Sequence, residues 1–67
     1  MPTVTVVYFN HRLQVQESRG HQVPDLERVS LEAVVDLFNA QIGTVLAVYH
    51  DETCLYRSGV VISDLID

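Results

Sequence analysis

SLEAVVDLFNAQIG, Ser30–Gly43, is the stretch that decides the fold. Leu31, Val34, Val35, Phe38 and Ile42 recur at i, i+3, i+4, i+7 and i+11, which is one apolar stripe at helical period. Glu32, Asp36 and Asn39 point elsewhere. Ser30 suits an N-cap, and Glu32 in the first turn suits the positive end of the helix dipole. Gly43 stands where a left-handed residue ends a helix. The two adjacent valines lower the intrinsic propensity, so this helix depends on docking. Its docking surface has to come from the sequence on either side.

Upstream, Thr3–Phe9 (TVTVVYF) is β-branched and aromatic and reads as a strand. Arg12–Glu17 (RLQVQE) alternates apolar and polar residues, the pattern of a half-buried strand. Asn10 and His11 between them predict a two-residue hairpin turn. That turn places Tyr8 opposite Leu13 and Val6 opposite Val15, with Val4 on the same face. The other face then pairs Phe9 with Arg12, Val7 with Gln14 and Thr5 with Gln16. Ser18–Pro24 (SRGHQVP) reads as a loop, and Asp25–Val29 as a short lead-in to the helix.

Downstream, Thr44–His50 (TVLAVYH) reads as a strand that is apolar on both faces. Strict alternation puts Val45, Ala47 and Tyr49 on one face and Leu46 and Val48 on the other, which suits a central position. Asp51 and Glu52 make a polar turn, Cys54–Arg57 a short return strand, and Ser58-Gly59 a break. Val60–Ile62 is a further apolar run before the acidic end SDLID.

The order β-β-α-β-β predicts a single α+β domain over residues 1–67: a two-layer sandwich of one helix on a small mixed sheet. In element order this resembles the β-grasp domains of ubiquitin-like proteins. The chain ends Leu65-Ile66-Asp67 and not in the Gly-Gly of ubiquitin-like modifiers, so the resemblance implies a fold without conjugation or sulfur transfer.

Composition narrows the function. Twelve valines, seven leucines and three isoleucines supply an aliphatic core, with some β-branched surface left over for a partner. Nine acidic residues against four arginines, with no lysine, give a net charge of −5, which repels phosphate backbones and anionic lipid. Arg12, Arg19, Arg28 and Arg57 are scattered and form no basic stripe. Neither a nucleic acid nor a membrane is expected as a partner. A lone cysteine, Cys54, precludes an internal disulfide, and the lack of a signal segment or a long apolar run leaves a cytoplasmic location as the expectation.

Candidate chemistry is sparse. His50-Asp51-Glu52 is the densest run of ligand-type side chains, but consecutive residues at a turn splay apart, and metal ligands must converge from separate elements. A His11/His21/His50 site requires two hairpin tips and a loop to meet. Cys54 lies among carboxylates that disfavour a thiolate, and its alternation with Tyr56 predicts a buried structural thiol. No hydrolase, metalloprotease, phosphate-loop or dinucleotide motif occurs. A chain this small is also expected to have little room for a pocket of ~300 Å³. The expectation is no enzyme, no cofactor and no metal.

Two surfaces remain. Asp25, Glu27, Glu32 and Asp36 predict an acidic face along and ahead of the helix, with Asp64 and Asp67 adding charge at the end. Val7, Phe9, Leu46 and Val48 are expected on the sheet face away from the helix, an apolar patch of the kind that marks an interface. The partner-binding residues expected are Val7, Phe9, Arg12, Glu32 and Asp36. The function expected is that of an adaptor or inhibitor that occupies a surface of a larger, basic partner, as a phage or mobile-element regulator does. The alternative is an assembly component that joins copies of itself through a sheet edge or face.

Overall fold

The computed structural model describes residues 1–66. The elements are β1 (Thr3–Asn10), β2 (Val15–Gln22), α1 (Arg28–Gln41), β3 (Thr44–His50), β4 (Thr53–Arg57) and a short 3-10 turn at Ile62–Asp64. The strands form one sheet in the order β2-β1-β3-β4, and all three neighbouring pairs are antiparallel. β2 and β3 therefore run in the same direction on either side of β1, and α1 is the crossover between them. The expected α+β arrangement of one helix on one sheet is formed. The sheet is antiparallel throughout and not mixed as the element order led us to expect.

The helix buries the stripe that its sequence marks. Leu31, Val34, Val35 and Phe38 pack on Val4, Val6 and Tyr8 of β1, Val45 and Val48 of β3, and Val23, with Ile42 at the margin. Phe38 is 1% exposed and meets the Tyr8 ring at 5.6 Å. Each such large side chain, fully buried, contributes roughly 1.5–3 kcal/mol. The helix begins at Arg28, ahead of Ser30, because Asp25 organises its entry. Asp25 Oδ1 accepts the Glu27 N–H at 3.0 Å and the Ser30 hydroxyl at 2.8 Å. Ser30 therefore lies inside the helix and is not its N-cap.

At the far end the Ile42 and Gly43 N–H groups both bond the Phe38 carbonyl, at 2.9 and 3.0 Å. Gly43 is absent from the residues with positive φ, so it is not the left-handed terminator expected. It is glycine because β1 passes against it: a Cβ here would overlap the Phe9 carbonyl oxygen.

The first hairpin differs from expectation. Its turn has four residues, His11–Gln14, and β1 pairs with β2 so that Asn10 faces Val15, Tyr8 faces Glu17, Val6 faces Arg19 and Val4 faces His21. Ser18–Gln22, read as loop, is strand. Asn10 causes the longer turn. Its Oδ1 accepts the Arg12 and Leu13 N–H groups at 3.0 and 3.1 Å, and its carbonyl accepts the Gln14 N–H at 2.7 Å. Gln14 takes φ 58° to close the loop. Leu13 and Val15, expected in the core, are exposed at 51% and 44%.

β3 spans the residues expected, but a bulge lies opposite the step from Val7 to Tyr8. Val7 faces Ala47 and Tyr8 faces Val45, so Leu46 is the additional residue. The bulge resets the alternation and puts both Val45 and Val48 under the helix. Val48 is thus core and not part of the opposite face. The last apolar run, Val60–Ile62, adds no strand; it leads into the 3-10 turn. Among the described residues no helix is long and apolar enough to cross a membrane.

Candidate functional site

The sheet face away from the helix carries the strongest candidate. β1 sends Val7 to it, β3 sends Leu46, Ala47 and Tyr49, and β4 sends Arg57. After β4 the chain turns back. The Ser58 N–H bonds the Leu46 carbonyl at 3.0 Å, and Gly59 adopts φ 79°, a left-handed conformation that a side chain disfavours. Val60 and Ile62 then lean over the sheet and wall an open cleft of about 400 Å³ with Gln16. Its floor is apolar, and Tyr49 and Arg57 supply its polar rim. The thiol of Cys54 and the phenol of Tyr49 lie beside Arg57 and hold its guanidinium above its ordinary pKa, Cys54 contributing most. Arg57, like any arginine, stays cationic, in a chain whose net charge is −5.

The five expected contact residues do not share one surface. Val7 is half-buried on the cleft floor. Phe9 lies on the same face but is only 1% exposed, closed off by the His11 ring at 5.2 Å and by the approach of Gly43 to its backbone. Arg12 is in the exposed turn, beside Arg19 and Gln41 at the C-terminal end of the helix. Glu32 and Asp36 are exposed on the helix, across the two layers from Val7. The acidic helix face is smaller than its composition promised. Asp25 is engaged in the helix entry, and Glu32 pairs with Arg28 at 2.9 Å. Asp67 lies outside the described residues.

Tyr49, Arg57, Gln16 and the Val60–Ile62 wall were not singled out by the sequence. The signal for the wall was present: Ser58-Gly59 followed by three apolar residues is a chain reversal with something to bury. Arg57 carried no local signal, because its position opposite Ala47 depends on β3–β4 register.

The other candidates fall apart in space. His11 bonds the Thr44 hydroxyl at 2.7 Å, His21 stacks edge-on to Phe38 at 5.7 Å, and His50 sits 3.9 Å from Asp51. Among the described residues no three His, Cys, Asp or Glu side chains are grouped as metal ligands. Cys54 is exposed, not buried, with its thiol directed to the Tyr56 carbonyl at 3.3 Å. It pairs with Tyr49 across a β3–β4 irregularity that rotates it outward. Two further clefts flank the helix, about 450 Å³ against Leu26, Leu55 and Tyr56 and about 330 Å³ against Val23 and Pro24. Clefts of ordinary ligand volume therefore exist, contrary to the expectation from chain length, and all of them open to solvent. No family model, curated protein or solved structure matches the chain.

Proposed function

We propose that this chain is a small acidic interaction module, an adaptor or inhibitor, that binds a larger protein through the cleft on the sheet face away from the helix. The observation that carries the reading is the make-up of that cleft. Val7, Leu46 and Ala47 form an apolar floor, and Arg57 and Tyr49 offer directional hydrogen bonds at its rim. This is the composition of an interface core with a polar border. The net charge of −5 favours a partner whose surrounding surface is basic. The role is binding and not catalysis, and a free exposed thiol at Cys54 suits a reducing, cytoplasmic setting.

Affinity capture from cells of the source organism tests it, with the wild type, Val7→Arg and a Glu32→Lys/Asp36→Lys double variant compared by quantitative mass spectrometry. A partner that binds wild type and the helix variant but is lost roughly tenfold or more with Val7→Arg supports the cleft. A partner lost only with the helix variant moves the site to the acidic face. No protein enriched over a scrambled-surface control overturns the reading.

A further inference from the structure

The outer edge of β2 is unpaired among the described residues, since β1 is its only neighbour. It is eight residues long, contains no proline and no lysine, and buries almost none of its side chains. Such an edge is a template for another strand unless something blocks it. On the helix-facing side it carries two charges, Glu17 opposite Tyr8 and Arg19 opposite Val6. Glu17 accepts a hydrogen bond from Asn10 Nδ2 and Arg19 lies over the Tyr8 ring, and neither makes a salt bridge among the described residues. Charges on an edge usually deter pairing, and their spacing here selects one partner instead.

We infer that β2 pairs antiparallel with β2 of a second copy of this chain, about a two-fold axis midway between the two Ser18 residues, so that Glu17 of each copy faces Arg19 of the other. Symmetry restricts the choice of register. A two-fold axis that joins antiparallel edge strands stands normal to the sheet, so it places same-face residues opposite one another. Only registers centred on a residue satisfy that condition. Centring on Glu17 or on Arg19 would set like charges face to face, which destabilises. Centring on Ser18 instead forms two opposite-charge pairs and overlaps the strand from Val15 to His21 in both copies.

The same operation puts both helices on one side of an eight-stranded sheet. The flank of α1 nearest β2 is apolar and uncovered: Val29 is 77% exposed and Leu37 40% exposed, with Ala33 between them. This flank lines the cleft against His21, Val23 and Pro24, at the C-terminal end of β2 and on the side of the sheet that both helices share. It supplies the apolar area that strand pairing alone lacks. The inference is independent of the larger-partner reading, which uses the opposite face of the sheet.

Sedimentation equilibrium from low micromolar to submillimolar concentration tests it, with circular dichroism to confirm folding. Wild type is expected to approach twice the 7.6 kDa chain mass. Glu17→Arg and Arg19→Glu each turn both pairs repulsive and are expected to weaken association roughly tenfold or more. Mixing the two variants restores complementarity, because the two arginines on the edge of one chain then meet the two glutamates on the edge of the other, so a heterodimer is expected from two monomers. A wild type that stays monomeric throughout overturns the inference. So does a dimer indifferent to both substitutions, or a mixture of folded variants that does not associate.

Discussion

Tyr8 of β1 touches both the helix and β2. Its ring is 1% exposed, tilts against Phe38 and lies beneath the Arg19 guanidinium at 5.9 Å. Burial raises the pKa of its phenol above 10.0, the Glu17 carboxylate raises it further, and Arg19 opposes both. The folded chain therefore keeps the phenolic proton at a pH where the unfolded chain has released it. The stability this gives is complete below pH 10.0 and is lost as the pH rises through the folded value. Tyr8→Phe retains the ring and removes the titration, so its melting temperature should fall less steeply than that of wild type between about pH 9 and pH 11. Thermal melts followed by circular dichroism check this; identical slopes would assign the alkaline loss to other groups. At this scale the sequence was legible for the large apolar side chains of β1 and of the helix stripe, and not for Leu13 and Val15, which it placed in the core and which are exposed. Tyr8, Phe38 and the valines of β1 fall where the pattern put them. Gly43 was not, because its need for a bare Cα comes from a strand distant in sequence.

The elements turn on their ends. Asn10 organises the first hairpin with two side-chain acceptor bonds to the turn, and its Nδ2 donates to Glu17 Oε1 at 3.1 Å. Asn10→Ala removes these together and should cost about 1–2 kcal/mol, read as a lower urea midpoint at unchanged slope. A neutral result would mean that backbone pairing alone sets the turn. The two-residue turn and the observed four-residue turn differ in register by four residues, an even number. The face on which each residue of the second strand lies was therefore legible, but its partner and burial were not. Alternation in RLQVQE favoured Leu13 and Val15 as core. The longer turn gives those positions up and gains something farther on: β2 extends to Gln22, Val23 becomes 1% exposed with its N–H on the Pro2 carbonyl at 2.9 Å, and only a short link remains before α1. Short connections and a buried Val23 outweigh two half-exposed residues. Helix α1 was legible in its stripe, and its start was missed by three residues, the N-cap being Glu27 and not Ser30, because Asp25 acts from outside it.

For the whole molecule, the decisive arrangement is that each face of the sheet is covered differently: one side by the helix, the other in part by the returning end of the chain. Removing residues 59–67 should uncover Val7, Leu46 and Ala47. It should raise the fluorescence of a bound hydrophobic dye and lower stability by roughly 1–2 kcal/mol, the transfer cost of a few half-buried aliphatic groups. An unchanged dye signal would show that the end of the chain contributes no shielding. The candidate site was legible at Val7 and Leu46, both expected on this face. Its remaining members depend on how β3 and β4 are aligned and on where the chain goes after Gly59, which are properties of the assembled sheet and not of any local pattern. The bulge at Leu46 has a further consequence. A strand has a frame of two, and one additional residue puts the first part of β3 in one frame and the second part in the other. Losing a single position between Val45 and Val48 would merge the frames and force one of those two valines out of the core. In this segment the number of residues is as strictly constrained as their chemistry, whereas residues gained or lost in the turn His11–Gln14 leave both frames intact.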